Sequence, residues 1–539
     1  MRGNTVKRIL CAGMMLVMVL AIAACGGGGK GASNSASNTG VGSSKPYHEL
    51  RWGLLSFSGV LDWTRNPNGY MASVESLAVD NLMEYEPDGK VKPGLASSVE
   101  QPNSTTYIYH LKSVKFSDGK PMTAADVVFS LDRNITAKES WTKPYWEDVA
   151  SISAPNSSTV LIKLKRPSAI FQDVVAFSGE VVEKAAAEKV SEKELGTPGH
   201  MLIGTGPWKL DSYQPEASVQ LSANPYWKGP RTAENITVNL FKSEATMALA
   251  VRSGAIDGVF YYISSKTFAN IPGVHQILEP STTWALMSVN TAMRPFNDVH
   301  VRRALAYATD SQGLIDALYP AGTAQEDVAF GPSSLLTDLA SQGEINKLEA
   351  SLPTYKFNLA AAKQELAKSA YPHGFTTTLE VPDSTPALVS AAQILSADFK
   401  KIGITVKIDE YPPSAEASTN DGKTKLLLTE DGAIYPDIEG LMWMLAASQI
   451  HPPGSGLNTA NFRNAEFDKL QPEAVETLSK SKRFQMVSKM LNVVGKEMPY
   501  IPLYSHKTFS AISEKYVLPG PSFWTMIWTP WGLRVKLAS

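Results

Sequence analysis

At 539 residues the chain is too long for one hydrophobic core and points to two or three domains. With 43% hydrophobic and 19% charged residues it has the composition of an ordinary globular protein, well supplied with side chains for burial. A net charge of −2 leaves no basic footprint for a nucleic acid.

Arg2, Lys7 and Arg8 precede an apolar run from Ile9 to Ala24 that is interrupted only by Gly13 and breaks off in LAIAACGGGGKG, residues 20–31. A basic start, a short apolar centre and the small side chains of Ala23 and Ala24 define a secretory signal peptide over 1–24. The run is somewhat short for a bilayer span, which needs roughly 20 apolar residues. The stretch Ile22-Ala23-Ala24-Cys25 resembles the bacterial lipobox, whose cysteine is acylated and becomes the new N-terminus, so Cys25 is the expected lipidation site. Cys11 follows bulky Leu10 and does not fit that role. Residues 25–45 are almost entirely small or polar, have little to bury and read as a flexible tether. Cleavage would leave Cys25 as the single cysteine, so the folded body is expected to hold no disulfide and no thiolate metal site. No second apolar run is long enough to cross a membrane. The expected location is the cell envelope, lipid-anchored on its extracytoplasmic face.

Beyond the tether the hydrophobic period switches repeatedly between two and 3.6. TYIYHLK (106–112) alternates as a strand, SDGKP (117–121) is a turn, and TAADVVFSLDRN (123–134) opens with Thr123 and Asp126 in capping-box spacing. Asp298 can cap a helix whose buried stripe is Val301, Ala304, Leu305 and Ala308; Asn358 can cap another through Leu359, Ala362 and Leu366. Thr385-Pro386 begins a long helix with Leu388, Ala392, Leu395, Phe399 and Ile402 on one side. Gly403 stops it, and ITVKI (404–408) follows as a strand. Phe484, Val487, Leu491 and Val494 mark a further amphipathic helix before YIPLYS (500–505). FWTMIWTPW (523–531), with its three tryptophans, reads as a core wedge. Helices docked on strands in separate regions predict a multidomain α/β protein.

Catalytic patterns are not found. The sequence holds no nucleophile elbow, no His-Glu-x-x-His pair and no phosphate loop. The eight histidines are scattered without helical ligand spacing, and His110 in its strand reads as packing. No metal site and no cofactor are expected. A secreted envelope hydrolase is the alternative from a different class, and these absences weigh against it.

Several stretches belong together. The segment from Thr106 to Arg133 is followed by IGTGPWKLDSY (203–213), ANPYWKGPRTAENITV (223–238), MALAVRSGAIDGV (247–259), NTAMRPFNDVHVRRALAYATD (290–310), NAEFDKL (464–470) and MPYIPLYS (498–505). In this order they resemble the family 5 extracellular solute-binding proteins, the peptide- and nickel-type binding components of ABC importers. The resemblance runs from about Leu50 to the C-terminus. It implies a two-lobed, class II periplasmic-binding-protein-like fold with a hinge, an interlobe cleft and an additional domain. Mapped here, domain I takes 46–85, 202–285 and 505–539, the additional domain II takes 86–201, and domain III, the second lobe, takes 286–504. Implied partners are a small ligand and ABC permease subunits, with the protein itself a monomer and no nucleic acid involved. The ligand is a short peptide or related compound, or alternatively a non-peptide solute such as an oligosaccharide or a modified peptide.

Most signature residues read as architecture. Gly204, Gly206 and Pro207 suggest backbone geometry that glycine tolerates, and Pro295, Phe296 and Arg302 suggest packing. Candidate ligand contacts are Ser58 and Gly59 in an early loop, Trp284, Asp431 and Tyr435; the two aromatics could stack on a ligand or wall it off. Many peptide-binding members carry a stretch like Gly-x-x-Ala-Asp-Tyr-x-Asp-Pro, whose first Asp pairs with the ligand's α-ammonium. The matching stretch is EDGAIYPDIEG (430–440), which places Ile434 where that Asp would stand. Either Asp431 or Asp437 has taken over, or the ligand presents no free amine there.

Overall fold

The computed structural model describes residues 42–43, 45–57, 59–260, 266–279, 282–326, 333–412, 423–445 and 458–539, with only the backbone of Trp443. The expected signal peptide, Cys25, nearly all of the expected tether and Ser58 lie outside the described residues.

Three sheets organise the body. The largest has seven strands, in the spatial order Val274–Glu279, Thr508–Ser513, Gly258–Phe260, Tyr47–Leu55, Ala233–Phe241, Ser218–Ala223 and Trp208–Gln214. Tyr47–Leu55 runs parallel to both of its neighbours. Alternation gives this sheet two faces. Leu50, Trp52 and Leu54 join the main core, while Val259 and Ala511 pack with Met247 and Val251 of the helix Glu244–Ser253. Trp531 lies 4.9 Å from Trp52, ring centre to ring centre, and Trp528 lies 4.7 Å from Trp63, so the C-terminal tryptophans are buried in the main core.

A six-stranded sheet runs Ala324–Gln325, Tyr500–His506, Thr283–Val289, Leu426–Gly432, Thr376–Pro382 and Thr405–Tyr411. Ala285, Met287 and Val289 face a second core made with the helices Val299–Ala308, Leu359–Lys368 and Pro386–Lys400. Trp284 and Leu286 face the opposite way, into the main core with Ile345, Phe467 and Val487. Residues 283–285 and 505–506 all belong to this sheet: Trp284 pairs with Ser505 and Ala285 with Tyr504, Thr283 pairs with Gly432, and His506 pairs with Ala324. The chain passes between the two large sheets from Glu279 to Thr283 and again through Lys507, which joins Tyr500–His506 to Thr508–Ser513.

The third sheet, in the spatial order Ala96–Asn103, Thr106–Leu111, Thr159–Leu164 and Val149–Asn156, is antiparallel throughout, two hairpins side by side, and the helix Ala124–Thr136 lies in the connection between them. Its capping box forms as the sequence suggests: the Thr123 amide and hydroxyl both donate to Asp126 Oδ2, at 2.9 and 2.7 Å. Asp298 and Asn358 likewise accept from the first amides of their helices. Gly403, at φ +89, ends the long helix region. Gly204 and Gly206 have a different reason from the one expected. Neither has positive φ; a Cβ at Gly204 would lie 2.2 Å from the Ala78 carbonyl oxygen, and one at Gly206 2.7 Å from the Ala78 carbonyl carbon. Close approach of two backbones demands glycine at both positions.

Candidate functional site

Trp284 and Asp431 stand directly opposite each other in the antiparallel pair at the centre of the six-stranded sheet, with Ser505 opposite Trp284 on the other side. Paired residues share a face, so these three lie together on the face turned toward the main core. Trp284 is fully buried and Asp431 is partly exposed.

The chain leaves Leu426–Gly432 into the stretch that sequence matching singled out. Ala433 is buried and Ile434 packs partly buried against the main core. Tyr435 is 1% exposed. Its ring stacks on Phe177, with centroids 5.6 Å apart and planes at 17°, and meets Tyr145 edge-on at 6.2 Å. Phe177 belongs to the helix Phe171–Ser178 and Tyr145 to the short helix Lys143–Trp146, both from the part of the chain that builds the third sheet. Tyr435 therefore spends its ring on protein contacts.

Asp437 is committed elsewhere. Arg483 Nη1 donates to its Oδ2 at 2.7 Å, Arg483 Nη2 donates to its Oδ1, and the Glu439 amide donates to Oδ1 at 2.9 Å. Both partners of the ion pair are buried. A buried ion pair of this kind has its charges matched within the protein, so the contacts of Asp437 are with Arg483 and the Glu439 amide. Around it, burial pushes the Glu439 carboxyl up to about 7, with Arg483 opposing the shift and Asp437 adding to it. Burial, reinforced by Asp437, pushes Asp173 up to about 8.

Gly59 lies in the exposed early loop with φ +93, and its carbonyl accepts from the Tyr213 hydroxyl at 3.1 Å. Behind that loop is a buried charged network that sequence reasoning missed. Arg133 Nη2 donates to Asp62 Oδ2 at 2.5 Å, and the Trp63 amide donates to Glu75 Oε2 at 2.8 Å. Burial, then the charge of Asp62, pushes Glu75 up to about 8. Arg483 was missed as well, although its helix Lys480–Glu497 held the signal: it occupies the buried stripe with Val487, Met490 and Val494, a position where a cation needs a partner.

Near Tyr435 is a cavity of about 300 Å³, walled by Tyr145, Phe171 and Val174 on one side and by Tyr435, Gln471 and Val475 on the other. Arg166 pairs with Asp148 at 2.6 Å and with Glu476 at 2.7 Å, and the Ala169 amide donates to the Val475 carbonyl at 2.8 Å. Among the described residues, no three His, Cys, Asp or Glu side chains are grouped to hold a metal ion, and no helix is long and apolar enough to cross a membrane.

Two large sheets assembled from interleaved chain segments, joined by two short crossings and accompanied by a small third sheet, make up the fold of the periplasmic binding proteins of the peptide-binding type. The solved structures agree. The peptide-complexed periplasmic binding protein DppA of Helicobacter pylori superposes with a TM-score of 0.79 at 22% identity, covering 91% of this chain and 98% of that one. NikZ of Campylobacter jejuni, in complex with Ni(L-His), superposes with a TM-score of 0.78 at 19% identity, covering 90% and 99%. Residues 90–451 match the model of the bacterial extracellular solute-binding proteins, family 5 middle, and the chain belongs to that family. Among its relatives, the glutathione-binding protein GsiB of Salmonella choleraesuis (strain SC-B67) is 26% identical over 459 residues, 83% of this chain and 86% of that protein. The family supplies the substrate-binding components that deliver ligands to ABC importers. They are binding proteins, not enzymes, and so is this chain.

Proposed function

We propose that this protein is anchored by lipid at Cys25 on the extracytoplasmic face of the membrane and captures a peptide-like solute whose bound end carries no free amine. The observation that carries the ligand reading is the combination of Ile434 at the amine-binding position with Asp437 bound to Arg483. An ammonium desolvated in a cleft needs a carboxylate partner, because an unpaired buried charge costs several kcal/mol; isoleucine provides none. A blocked or modified peptide, a sugar or another solute with an uncharged end meets no such penalty. Relatives named for glutathione, a peptide and a nickel–histidine complex place varied solutes on one scaffold, consistent with a ligand set by local residues rather than by fold.

In this reading the seven-stranded sheet belongs to the first lobe, the four-stranded sheet to the additional domain and the six-stranded sheet to the second lobe. Closure turns on the two places where the chain passes between the large sheets, and the closed form is the shape offered to the permease. The protein works as a monomer. One second reading remains: Asp431, opposite Trp284 in the register and partly exposed, would be the carboxylate that meets an amine in place of Ile434.

The test is mass spectrometry of the solute that co-purifies with the mature protein, followed by calorimetry with matched free and N-acetylated short peptides. The proposal expects a bound solute and no preference for the free amine. Tight binding of the free peptide that is lost on acetylation and lost again in Asp431→Asn would replace it with the second reading.

A further inference from the structure

The contact between the third-sheet region and the loop 433–438 is built more firmly than a chance touch. Tyr435 enters between Phe177 and Tyr145, one ring stacked and one edge-on, and all but 1% of its surface is covered. Phe177 itself is fully buried and meets Trp141 and Trp528, so the slot has a rigid back wall. Beside it, Pro436 rests on the turn at Gly89, where φ is +84 and a Cβ would come 2.8 Å from Pro436 Cβ. The loop is held out toward this slot from behind: Asp437, two residues on, is fixed by Arg483 of the helix Lys480–Glu497. Two further contacts follow the same seam, the Arg166–Glu476 ion pair and the Ala169–Val475 backbone hydrogen bond.

We propose that Tyr435 is a closure latch: its docking between Phe177 and Tyr145 joins the additional domain to the second lobe and sets the balance between the open and closed arrangements. This rests on the two-lobed reading above and deepens it, because it gives Tyr435 a role in the shape presented to the permease rather than in contact with the solute. Aromatic pairs contribute beyond their buried area, and a contact made only in the closed arrangement shifts the open–closed equilibrium by its full worth. Removing both ring contacts should raise the open-to-closed ratio roughly tenfold or more. Tyr435→Phe keeps both ring faces and should leave the ratio close to that of the wild type.

The experiment is a spin-label distance measurement across the seam. Labels go on Lys163→Cys and Glu473→Cys, both exposed, in the full chain carrying Cys11→Ser and Cys25→Ser. The labelled protein should give one short-distance population. Tyr435→Ala should add a longer one, Tyr435→Phe should not, and Phe177→Leu, which perturbs the slot from its other side while remaining apolar, should also add it. Circular dichroism spectra matching the wild type certify that the variants are folded. Distance distributions for Tyr435→Ala and Phe177→Leu that superimpose on the wild type overturn the latch. That outcome is independent of the ligand reading: unchanged distances refute the latch whatever solute co-purifies, and the ligand reading stands or falls on the solute and the free and N-acetylated peptides bound by the wild type.

Discussion

Arg483 grips both oxygens of Asp437 inside the protein, from a helix that begins more than forty residues further along the chain. The pair fixes the loop that carries Ile434 and Tyr435, and it matches the charge of Asp437 within the protein.

Breaking the pair from one side leaves a buried charge without its partner. Arg483→Met should lower unfolding free energy by about 3–5 kcal/mol, because Asp437 and Glu439 remain buried beside an apolar side chain. The double replacement Arg483→Met with Asp437→Leu should recover a large part of that loss. Urea unfolding monitored by tryptophan fluorescence checks both; equal losses in the single and double variants would show that the pair is not the source.

Trp284 separates a packing role from a ligand role. It is fully buried in a central strand, so Trp284→Ala should destabilise the protein by about 3–5 kcal/mol with no solute added. An unfolding midpoint equal to that of the wild type would mean that the side chain serves the ligand rather than the core.

Local signals in the sequence carried the helices well. The Thr123–Asp126 box and the Asn358 cap depend on residues within one turn, and the observed hydrogen bonds are the ones their spacing implies. Long-range partners were not legible. Nothing near Asp437 in sequence announces Arg483, and nothing near Tyr435 announces Phe177, because folding rather than spacing brings these elements together. Trp284 shows a subtler limit: every residue of Thr283–Val289 is buried, so alternation does not reveal which side chains face a cleft. At Gly204 and Gly206 the residue type was informative but its cause was not, since the close backbone at Ala78, in the turn after the helix Gly69–Glu75, is distant in sequence.

Glu439 should make stability depend on pH in a defined direction. Its carboxyl is raised from 4.5 to about 7, first by burial. Between those values the folded chain holds a proton that the unfolded chain releases, so this contribution is complete below about pH 4.5 and is lost as pH rises to about 7. The span corresponds to about 3 kcal/mol. Glu439→Gln keeps an acceptor for the Gln471 amide, now 3.1 Å from Oε2, and removes the titration. Measured against the wild type by urea unfolding, the variant should gain stability from pH 5 to about pH 7 and level off above it. A difference that stays constant across that range would refute the assignment.

Anchoring is tested in cells. Cys25→Ser should block lipoprotein processing and move the protein out of the lipid-modified membrane fraction, as judged by detergent partitioning and by mass of the mature N-terminus. Unchanged processing and partitioning would place the anchor elsewhere.

The most informative single substitution is Ile434→Asp. Ile434 is partly buried at the edge of the main core, directly before the docked Tyr435. A carboxylate there would cost some stability alone, since desolvating a charge is unfavourable, and would regain it by pairing with a ligand ammonium. Binding of free short peptides should therefore strengthen in the variant relative to their N-acetylated forms, by roughly tenfold or more for a charge-assisted hydrogen bond. The wild type should show no such preference. Calorimetry with the two peptide sets on both proteins decides the matter, with Ile434→Asn as the control that adds polarity without charge. If Ile434→Asp leaves the ratio of free to acetylated affinity where the wild type has it, residue 434 does not face the ligand's end and the argument from its identity fails.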